Sequence, residues 1–282
     1  MNKKIHLNNG TIISVNDYGS GPVLVLIHGW PVTDFHWRKI RTQLTGRGFR
    51  TITITPRGLG QGSSGSGDFD KLTIAQELSE TLQKISVAEF AVIGHDWGGT
   101  LGYLLATTNR DKCWALVVEE EIFPGAGVDI PEPGSNYYPN WHGPLNRAEG
   151  LAELLIPGKE RDYYGTFLRQ SAGKYPLEEV AIAEYLVGYV SDTQLAPTLG
   201  YYRSRAKDIA DVNLSRKEPL NIPILALGGE YGMGSAVESG LKGIGNNISA
   251  TIISNAGHYP AEQEPELVLK SLLPFLDSAK IR

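Results

Sequence analysis

Asp96 is the residue in this sequence whose surroundings point most directly to chemistry. It lies in Gly94-His95-Asp96-Trp97-Gly98-Gly99, after the apolar run Phe90–Ile93 and before a helix-like run that begins at Thr100. Glycines on both sides permit a sharp strand-to-helix turn that exposes the middle side chain, an arrangement called a nucleophile elbow. A carboxylate at that point attacks saturated carbon and becomes an alkyl ester of the protein. The leaving group must then depart from carbon, as an epoxide oxygen or a halide does.

An ester on Asp96 can be hydrolysed only by an activated water, and histidine is the usual base for that task. His258 lies in the segment 255–260, just after the last strand-like run and before the final helix-like run. We therefore expect it at the carboxyl edge of the sheet, on the same side as Asp96.

Four other histidines are predicted to have no part in catalysis. His6 lies in a polar N-terminal segment and His36 on a predicted helix, so a surface or packing role is expected for both. His28 and His95 flank glycines in loops, where ring hydrogen bonds to the backbone are expected. Arg57, in a glycine-rich strand-to-helix connection, is predicted to be structural.

A negative oxygen develops when water attacks the ester, and two backbone N–H groups can stabilise it. The candidates are Trp97, directly after Asp96, and Trp30 in His28-Gly29-Trp30-Pro31 at the end of an earlier strand. The two indole rings can also form pocket walls, because a ring role does not conflict with a backbone role.

Apolar runs alternating with helix-like segments predict the elements that position these residues. Unbroken apolar runs are typical of parallel strands buried on both faces. Amphipathic periodicity predicts helices over 72–85 and 265–278. This alternation predicts an α/β fold with a doubly wound, mostly parallel sheet and function at the carboxyl ends of its strands. The predicted strands are Val23–Ile27, Thr51–Ile54, Phe90–Ile93, Ala115–Val118, Ile224–Leu227 and Ala250–Ile253.

The alternation stops after Pro124 and resumes at Ile224. Between them lie loops rich in proline and glycine, then three helical patterns. They are Leu151–Leu155, Tyr163-Phe167-Leu168 and Val180-Ala183-Val187-Val190, each expected to carry one apolar face. We predict a helical cap, residues 124–215, inserted into a core formed by residues 1–123 and 216–282.

Composition excludes several other classes. With 282 residues and a net charge of -5, the chain is large enough for one α/β domain with an insertion, and its acidity argues against nucleic acid and membranes as partners. The lone Cys113 excludes an intrachain disulfide framework and a cysteine-based metal cluster, and a core position is expected for it. The N-terminal segment is too polar for a signal peptide and no run is long enough to span a membrane, so a cytoplasmic protein is expected.

The motifs together resemble those of α/β-hydrolase-fold epoxide hydrolases. His28-Gly29-Trp30-Pro31, Gly94 to Gly99 and Gly257-His258 are similar to the family's oxyanion, nucleophile and base motifs, in the family's order. The resemblance runs from about Val15 to the end of the chain. It implies an α/β-hydrolase fold with an inserted helical cap, and hydrolysis of an apolar organic epoxide by water to a vicinal diol. It also implies no metal or organic cofactor, and a possible homodimer.

The acid that orients the histidine departs from the family's common pattern. Many members carry an aspartate after the strand that ends near Leu227, but Gly232 stands at that place. Two replacements remain, Glu230 in the same loop and Glu120 at the earlier strand end. Glu120 resembles the glutamate of the Cif-like subgroup, which lies four residues before a corresponding proline. Its neighbours Glu119 and Glu121 face the opposite way along the strand and are expected to be solvated.

Ring opening also needs a donor to the epoxide oxygen. The Cif-like subgroup uses one histidine and one tyrosine of the cap. Segments around Asn140-Trp141-His142 and Gly200-Tyr201-Tyr202-Arg203 resemble those that carry them, which implies His142 and Tyr202 as the donors. Three tyrosines remain as replacements: Tyr163, Tyr164 and Tyr201.

Two other functions stay open. A haloalkane or haloacid dehalogenase uses the same Asp/His pair, and Trp97 is also a halide-binding position in haloalkane dehalogenases. Against it, Trp30 replaces a halide-binding asparagine, and Trp97 stands where fluoroacetate dehalogenases carry an arginine. A catalytically silent interaction protein on the same scaffold is the other alternative, although Asp96, His258 and both oxyanion positions are retained.

Overall fold

An eight-stranded sheet forms the centre of the protein in a computed structural model that describes residues 2–191 and 193–280. The strand order is β1-β2-β4-β3-β5-β6-β7-β8. Strands β1, β2 and β4 pair antiparallel, and all pairs from β4 to β8 are parallel. The predicted α/β class with a mostly parallel sheet is therefore confirmed. All six predicted strands are present within these eight.

The elements have the following bounds. The strands are β1 Asn2–His6, β2 Ile12–Tyr18, β3 Val23–Ile27, β4 Arg50–Thr55, β5 Phe90–His95, β6 Cys113–Glu119, β7 Leu220–Gly229 and β8 Gly245–Ile253. The helices are α1 Arg38–Gly46, α2 Lys71–Lys84, α3 Trp97–Thr108, α4 His142–Arg147, α5 Leu151–Leu155, α6 Glu160–Ser171, α7 Glu179–Val187, α8 Leu195–Arg203, α9 Arg205–Ser215, α10 Ala236–Gly240, α11 Pro260–Gln263 and α12 Pro265–Lys280. Short 3₁₀ turns cover Asp34–Trp37 and Gly134–Asn136.

Strand β3 shows why unbroken apolar runs mark the central strands. Val25 and Ile27 belong to one hydrophobic cluster, and Leu24 and Leu26 to a second cluster on the other face of the sheet. Successive side chains of a strand point to opposite faces, so a strand covered on both sides must be apolar throughout. The sheet is thus covered on both faces, and its carboxyl edge is left for polar side chains.

Strands β1 and β2 form an N-terminal hairpin that the sequence pattern did not predict. Exposed and partly buried residues alternate along β1. Its lysines and asparagine occupy both kinds of position, so the sequence shows no alternation of apolar and polar residues. Gly10 closes the hairpin with a φ of 85°, a conformation that glycine adopts without strain.

Helices α4–α9 occupy the chain between β6 and β7, where the insertion is predicted. The apolar face predicted for α7 is wrong. Val180 and Val187 are 70% and 52% exposed. The buried face is instead formed by residues one or two places away, Ala181, Ile182, Tyr185 and Leu186. Tyrosine contributes to that face as much as valine would, because its ring is largely apolar.

The structure also tests the predictions for Cys113 and Arg57 and the possibility of a membrane-spanning helix. Cys113 is buried in the core, as expected. Arg57 is buried and its Nε donates to both carboxylate oxygens of Glu77, at 3.1 and 3.0 Å, in keeping with the structural role predicted for it. Within residues 2–191 and 193–280, none of the helices combines the length and the apolar character that a membrane crossing needs.

Candidate active site

Asp96 lies at the junction of β5 and α3 in a backbone conformation that few non-glycine residues adopt, with φ 50° and ψ -130°. The surrounding glycines are sterically required. A Cβ at Gly98 would overlap the carbonyl of Ile27, and one at Gly94 would overlap the carbonyl of Gly98. A Cβ at Gly29 would collide with the Asp96 carboxylate. The predicted elbow is therefore formed by close approach of three backbone segments, and it holds the Asp96 carboxylate above the sheet.

His258 lies beside Asp96, as the sequence predicts, with its Nε2 3.4 Å from Asp96 Oδ2. The ring is fully buried. Burial lowers the pKa of His258, but hydrogen bonds and negative charge from Asp96 and Glu120 outweigh it and raise the pKa to about 9. The same pair acts on the carboxyl group, because burial raises the pKa of Asp96 but the hydrogen bond and charge of His258 bring it below its usual range. The resting site is an Asp96 carboxylate paired with a His258 imidazolium.

Glu120 is the acid that contacts His258. Its Oε2 lies 3.0 Å from His258 Nδ1, and its carboxylate also accepts hydrogen bonds from the backbone N–H groups of Gly229 and Met233 at 2.6 and 2.9 Å. Burial raises the pKa of Glu120, and these donors act against that rise. The alternative acid, Glu230, accepts instead from the backbone N–H of Asn255 at 3.0 Å.

One of the two expected oxyanion donors is already directed at the carboxylate. The backbone N–H of Trp30 donates to Asp96 Oδ1 at 2.8 Å. Trp97 directly follows Asp96 as the first residue of α3. The Trp30 N–H therefore lies where the sequence predicts an oxyanion donor for this carboxyl group.

The expected ring-oxygen donors lie together above the tryptophans. The Tyr202 ring lies edge-on to Trp30 and Trp97, with centroids 5.4 and 5.6 Å away. His142 stacks on Trp30 at 5.6 Å and lies 5.9 Å from the Tyr202 ring. Burial and the charge of Asp96 raise the pKa of Tyr202 far above its usual value, so its hydroxyl keeps its proton and can donate.

The His142 ring has a defined tautomer when neutral. Its Nδ1 lies 2.9 Å from the carbonyl oxygen of Pro139. A carbonyl oxygen only accepts, so Nδ1 must carry the proton and Nε2 of the neutral ring is an acceptor. Burial lowers the pKa of His142 to about 4, which favours the neutral ring. His142 can therefore donate from Nε2 only as an imidazolium.

Two of the three replacement tyrosines fit the donor role less well, because their hydroxyls already donate to other groups. Tyr163 and Tyr201 donate their hydroxyls to Asn146 Oδ1 and to the carbonyl of Arg57, at 2.6 and 2.7 Å. Tyr164 places its ring 5.8 Å from Trp30.

Two aromatic residues at the site were not singled out in the sequence. Tyr138 lies edge-on to His258 with ring centroids 5.0 Å apart, and Phe167 lies 4.5 Å from both Trp30 and His142. In a chain with 13 tyrosines and seven phenylalanines, no local pattern marks these two, because only the fold of the insertion brings them to the sheet edge.

Comparison with known proteins agrees with this geometry. Residues 22–265 match the α/β-hydrolase-fold family. The chain belongs to that family. Among curated members, the soluble epoxide hydrolase of Corynebacterium sp. (strain C12) is 28% identical over 274 residues, which cover 91% of each chain. Epoxide hydrolase 3 of Xenopus tropicalis is 26% identical over 276 residues, covering 90% of this chain and 71% of its own.

Solved structures of α/β hydrolases superimpose on nearly the whole chain. The epoxide hydrolase CorEH, solved without ligand, has a TM-score of 0.87 and 27% identity, covering 100% of this chain and 99% of its own. Cfl2 of Burkholderia cenocepacia has a TM-score of 0.86 at 24% identity, covering 97% and 95%, which shows the shared fold. The expected α/β-hydrolase fold and the resemblance to epoxide hydrolases are confirmed.

Glu119 and Glu121, which were expected to be solvated, are both buried in this hydrolase, so that expectation is wrong. Glu119 Oε1 lies 2.8 Å from His36 Nε2, and His95 Nε2 lies 2.7 Å from the carbonyl of His258. Burial raises the pKa of Glu119 to about 7 and lowers that of His36 to about 3. These groups form a second carboxyl–histidine pair behind the first one.

Within residues 2–191 and 193–280, His36, His95 and Glu119 form one buried cluster whose side chains could hold a metal ion. Ligand-type atoms of His36, His95 and Glu119 lie within 4.8 Å of one another and all three residues are buried. His36 and Glu119 are already joined by a hydrogen bond, and His95 contacts the backbone of the loop that carries His258. We interpret the cluster as a support for that loop. The predicted backbone contacts of His28 and His95 are present, since His28 Nδ1 also lies 2.9 Å from the carbonyl of Gly29.

Glu121 adds a third carboxyl group near the nucleophile. It accepts a short hydrogen bond from the Thr100 hydroxyl on α3. Burial and the charge of Asp96 raise the pKa of Glu121 to about 8, against the hydrogen bond of Thr100 and the charge of Lys71. A carboxyl group that keeps its proton at neutral pH adds little negative charge beside Asp96.

Proposed function

We propose that this protein is an epoxide hydrolase that converts an epoxide with an apolar body into a vicinal diol through an ester on Asp96. The observation that carries the proposal is the arrangement of a carboxylate nucleophile, a buried histidine 3.4 Å away and an acid 3.0 Å behind that histidine. A serine in the elbow would favour acyl transfer, whereas the carboxylate favours attack on saturated carbon. The named relatives support the same reaction.

In the first step, a carboxylate oxygen of Asp96 attacks one ring carbon and the bond from that carbon to the ring oxygen breaks. The ring oxygen becomes an alkoxide and takes a proton. Tyr202 donates the hydrogen bond to this oxygen, because its phenol stays protonated at neutral pH. His142 donates a second one when it carries a proton on both nitrogens. The proton lost from the His258 imidazolium balances the proton gained by the alkoxide.

In the second step, neutral His258 takes a proton from a water that attacks the ester carbonyl of Asp96. Glu120 holds the ring with Nδ1 toward itself, which leaves Nε2 for the water. Backbone N–H groups of Trp30 and Trp97 stabilise the resulting oxyanion. The bond between the carbonyl carbon and the alkyl oxygen then breaks, and the leaving oxygen takes the proton of the newly added hydroxyl group, which releases the diol. His258 ends as an imidazolium beside a regenerated Asp96 carboxylate.

Esterification of Asp96 lowers the pKa of His258, so the histidine can act as a base in the ester intermediate. The carboxylate of Asp96 is one of the two charges that raise the pKa of His258 to about 9. An ester carries no charge, so the pKa of His258 falls when the intermediate forms. The histidine therefore becomes available as a base in the intermediate and returns to its charged form with the product.

Dehalogenation remains a second candidate because of the two tryptophans. The indole nitrogen of Trp30 is buried and has no hydrogen-bond partner in the described part of the chain, and that of Trp97 is buried beside the Tyr202 ring. An indole N–H only donates, so such groups suit a halide leaving group as well as an epoxide oxygen. His142 and Tyr202 would lie beside the same ion.

Intact-protein mass spectrometry of His258→Gln separates these functions. The variant lacks the base, so the ester on Asp96 should accumulate when the protein is incubated with a panel of neutral epoxides. The expected adduct has the whole mass of the epoxide and is absent from an Asp96→Asn, His258→Gln double variant. Adducts formed only from haloalkanes or fluoroacetate would identify a dehalogenase. No adduct from either panel would contradict the proposal and favour a catalytically silent scaffold.

A further inference from the structure

Lys71, the first residue of α2, places a buried ammonium beside the candidate active site, although neither proposed step uses it. Its Nζ pairs with Asp208 Oδ2 at 2.8 Å and donates a short hydrogen bond to the carbonyl oxygen of Tyr201. It also lies 4.0 Å from the centroid of the Trp97 ring, within the range of a cation–π contact. One ammonium therefore joins α8 and α9 of the insertion to α3 of the core.

The contacts of Lys71 lead directly to Tyr202, the expected ring-oxygen donor. The carbonyl that the ammonium binds belongs to the peptide bond between Tyr201 and Tyr202. The Trp97 ring beneath the ammonium lies edge-on to the Tyr202 ring at 5.6 Å, and Trp97 directly follows Asp96. Burial raises the pKa of Tyr202, and the Trp97 indole N–H acts against that rise, so this N–H lies beside the phenol oxygen. One side chain thus holds both the backbone of the donor and its ring neighbour.

Stability alone is a weak reason for a charge at this place. Replacing a buried ion pair by apolar groups is often neutral, because the cost of removing both charges from water offsets their attraction. The insertion also has neutral contacts with the core. The Tyr201 hydroxyl donates to the carbonyl of Arg57 at 2.7 Å, and the Tyr189 hydroxyl donates to that of Val32 at 2.9 Å. An ammonium differs from these hydroxyls because its three donors can hold several groups at fixed positions relative to one another.

We propose that Lys71 is a positioning residue for ring opening that fixes the Tyr202 hydroxyl relative to the Asp96 carboxylate. It does so by holding the peptide bond before Tyr202 against the Trp97 ring. The inference rests on the proposed function and adds a residue that takes no part in bond making or breaking. Ring opening needs the nucleophile and the donor on one epoxide at the same time. A displacement of about 1 Å between such groups can lower a rate roughly 10²-fold.

Formation of the ester in the His258→Gln background measures ring opening alone, and time-resolved mass spectrometry gives its rate. Lys71→Met, Asp208→Asn removes the ammonium together with its buried partner, and the asparagine keeps an oxygen that can accept from the backbone N–H of residue 71. With the neutral epoxide that labels the parent fastest, we expect the maximal rate to fall by roughly tenfold. The epoxide concentration that gives half of this rate should change by less than about twofold, because binding contacts are kept.

Coupling to Tyr202 distinguishes a positioning role from a structural one. A residue that acts by placing the Tyr202 hydroxyl has nothing to place in Tyr202→Phe. In that background, Lys71→Met, Asp208→Asn should therefore slow adduct formation by less than about twofold. In a Tyr163→Phe background the tenfold loss should persist, because that hydroxyl is bonded to Asn146. An equal loss with and without the Tyr202 hydroxyl, or no loss in the parent, would overturn the proposal.

Two further variants control for charge and for stability. Lys84→Met removes an ammonium from the same helix, where it pairs with Glu80 at 3.5 Å. Leu272→Ala opens a cavity in the hydrophobic cluster on the other face of the sheet and lowers stability without touching the insertion. Both should form the adduct at the rate of the parent. If Leu272→Ala slowed it as much as the Lys71 variant does, lost stability would explain the effect and the positioning role would be wrong.

The positioning role and the proposed function fail separately. If His258→Gln forms an adduct and the Lys71 variant forms it equally fast, the positioning role is wrong and the epoxide hydrolase stands. If no epoxide of the panel labels His258→Gln, the proposed function is wrong, and a role for Lys71 in ring opening is wrong with it.

Discussion

The carboxylate of Glu120 occupies the space that a side chain at Gly232 would need. A Cβ at Gly232 would overlap Glu120 Oε2, and the same carboxylate accepts the backbone N–H groups of Gly229 and Met233 around it. Gly232 is the position at which many family members carry the aspartate. A carboxylate at position 120 and one at position 232 would therefore occupy the same space beside His258. This chain has room for only one of the two.

The first prediction concerns variants that transfer the carboxylate from residue 120 to residue 232. Glu120→Ala should lower kcat by roughly 10²- to 10⁴-fold, because His258 loses the group that orients it. Gly232→Asp alone should also be damaging, because the new side chain collides with Glu120. The double variant Glu120→Ala, Gly232→Asp removes the collision with Glu120 and should regain part of the activity, provided that the loop shifts to relieve the 2.8 Å approach of the new Cβ to the carbonyl carbon of Gly257. Steady-state kinetics on the same epoxide would measure all three, and a double variant worse than Glu120→Ala would contradict a shared location.

Tyr202 is expected to contribute more to ring opening than His142 at neutral pH. In the His258→Gln background, Tyr202→Phe should slow adduct formation by roughly 10²-fold, since a hydrogen bond to the developing alkoxide is lost. His142→Phe should slow it by less than about tenfold, because the neutral ring presents an acceptor at Nε2. Time-resolved mass spectrometry measures both rates.

Tyr163→Phe is the control for this comparison, because the Tyr163 hydroxyl is already donated to Asn146. It should leave the rate of adduct formation close to that of the parent. A larger loss from His142→Phe than from Tyr202→Phe would show that the histidine is the main donor.

Glu121 is expected to make the protein less stable as pH rises. Its pKa is raised from the usual 4.5 to about 8, so the folded protein binds a proton that the unfolded chain has lost between those values. Stability from this group is therefore fully present below pH 4.5 and is lost as pH rises to about 8. Glu121→Gln keeps an oxygen that can accept from Thr100, and it should flatten the dependence of the free energy of unfolding on pH over that window.

Urea denaturation at several pH values measures this dependence. Glu119, whose pKa is raised to about 7, and His258, whose pKa is raised to about 9, give slopes of the same sign, so the comparison is between Glu121→Gln and wild type at each pH. Glu218→Gln, at an exposed carboxylate, should reproduce the wild-type curve. Parallel curves for Glu121→Gln and wild type would show that Glu121 ionises normally.

Lys71 is expected to anchor the insertion to the core. Its Nζ is buried 2.8 Å from Asp208 Oδ2, its backbone N–H donates to Asp208 Oδ1 at 2.9 Å, and its ammonium lies 4.0 Å above the Trp97 ring. Lys71→Met should lower the free energy of unfolding by about 3–5 kcal/mol, because it leaves the buried Asp208 carboxyl group without its cationic partner. Adding Asp208→Asn should recover part of that loss.

Lys84→Met on the same helix is the control for this variant. Lys84 forms an exposed pair with Glu80 at 3.5 Å, and its loss should change the free energy of unfolding by less than about 0.5 kcal/mol. If the double variant of Lys71 and Asp208 were no more stable than Lys71→Met, the unpaired carboxylate would not be the cause of the loss.

Much of the fold could be predicted because its central strands are buried on both faces. Val23–Ile27 and Phe90–Ile93 are apolar at every position, which distinguishes them from amphipathic elements. The edge strand β1 lacks that property, since four of its five residues are polar and none is fully buried. The buried face of α7 was predicted wrongly for a related reason. It includes Tyr185, and a search for aliphatic periodicity treats tyrosine as polar.

Some residues of the candidate site could be predicted from the sequence and others could not, for similar reasons. Asp96, His258 and Trp30 are tied to strand ends by short glycine motifs, so their sequence context places them. Tyr138 and Phe167 reach the site through the packing of the insertion, which depends on contacts distant in sequence. The burial of Glu119 and Glu121 was missed because a row of carboxylates is normally exposed, and only the tertiary structure supplies His36 and Thr100 as their partners.

The two proposed steps depend on different parts of the chain. Tyr202 and His142 lie on helices α8 and α4 between β6 and β7, whereas Asp96, His258 and Glu120 lie at strand ends of the sheet. Ring opening uses side chains of both parts, whereas the groups proposed for ester hydrolysis all lie at the sheet edge. The loop that carries the base is nevertheless bonded to the insertion, because the backbone N–H of His258 donates to the carbonyl of Ser171 on α6 at 2.9 Å. Changes on α4 and α8 are therefore expected to affect ring opening more than ester hydrolysis, whereas changes on α6 are expected to affect both.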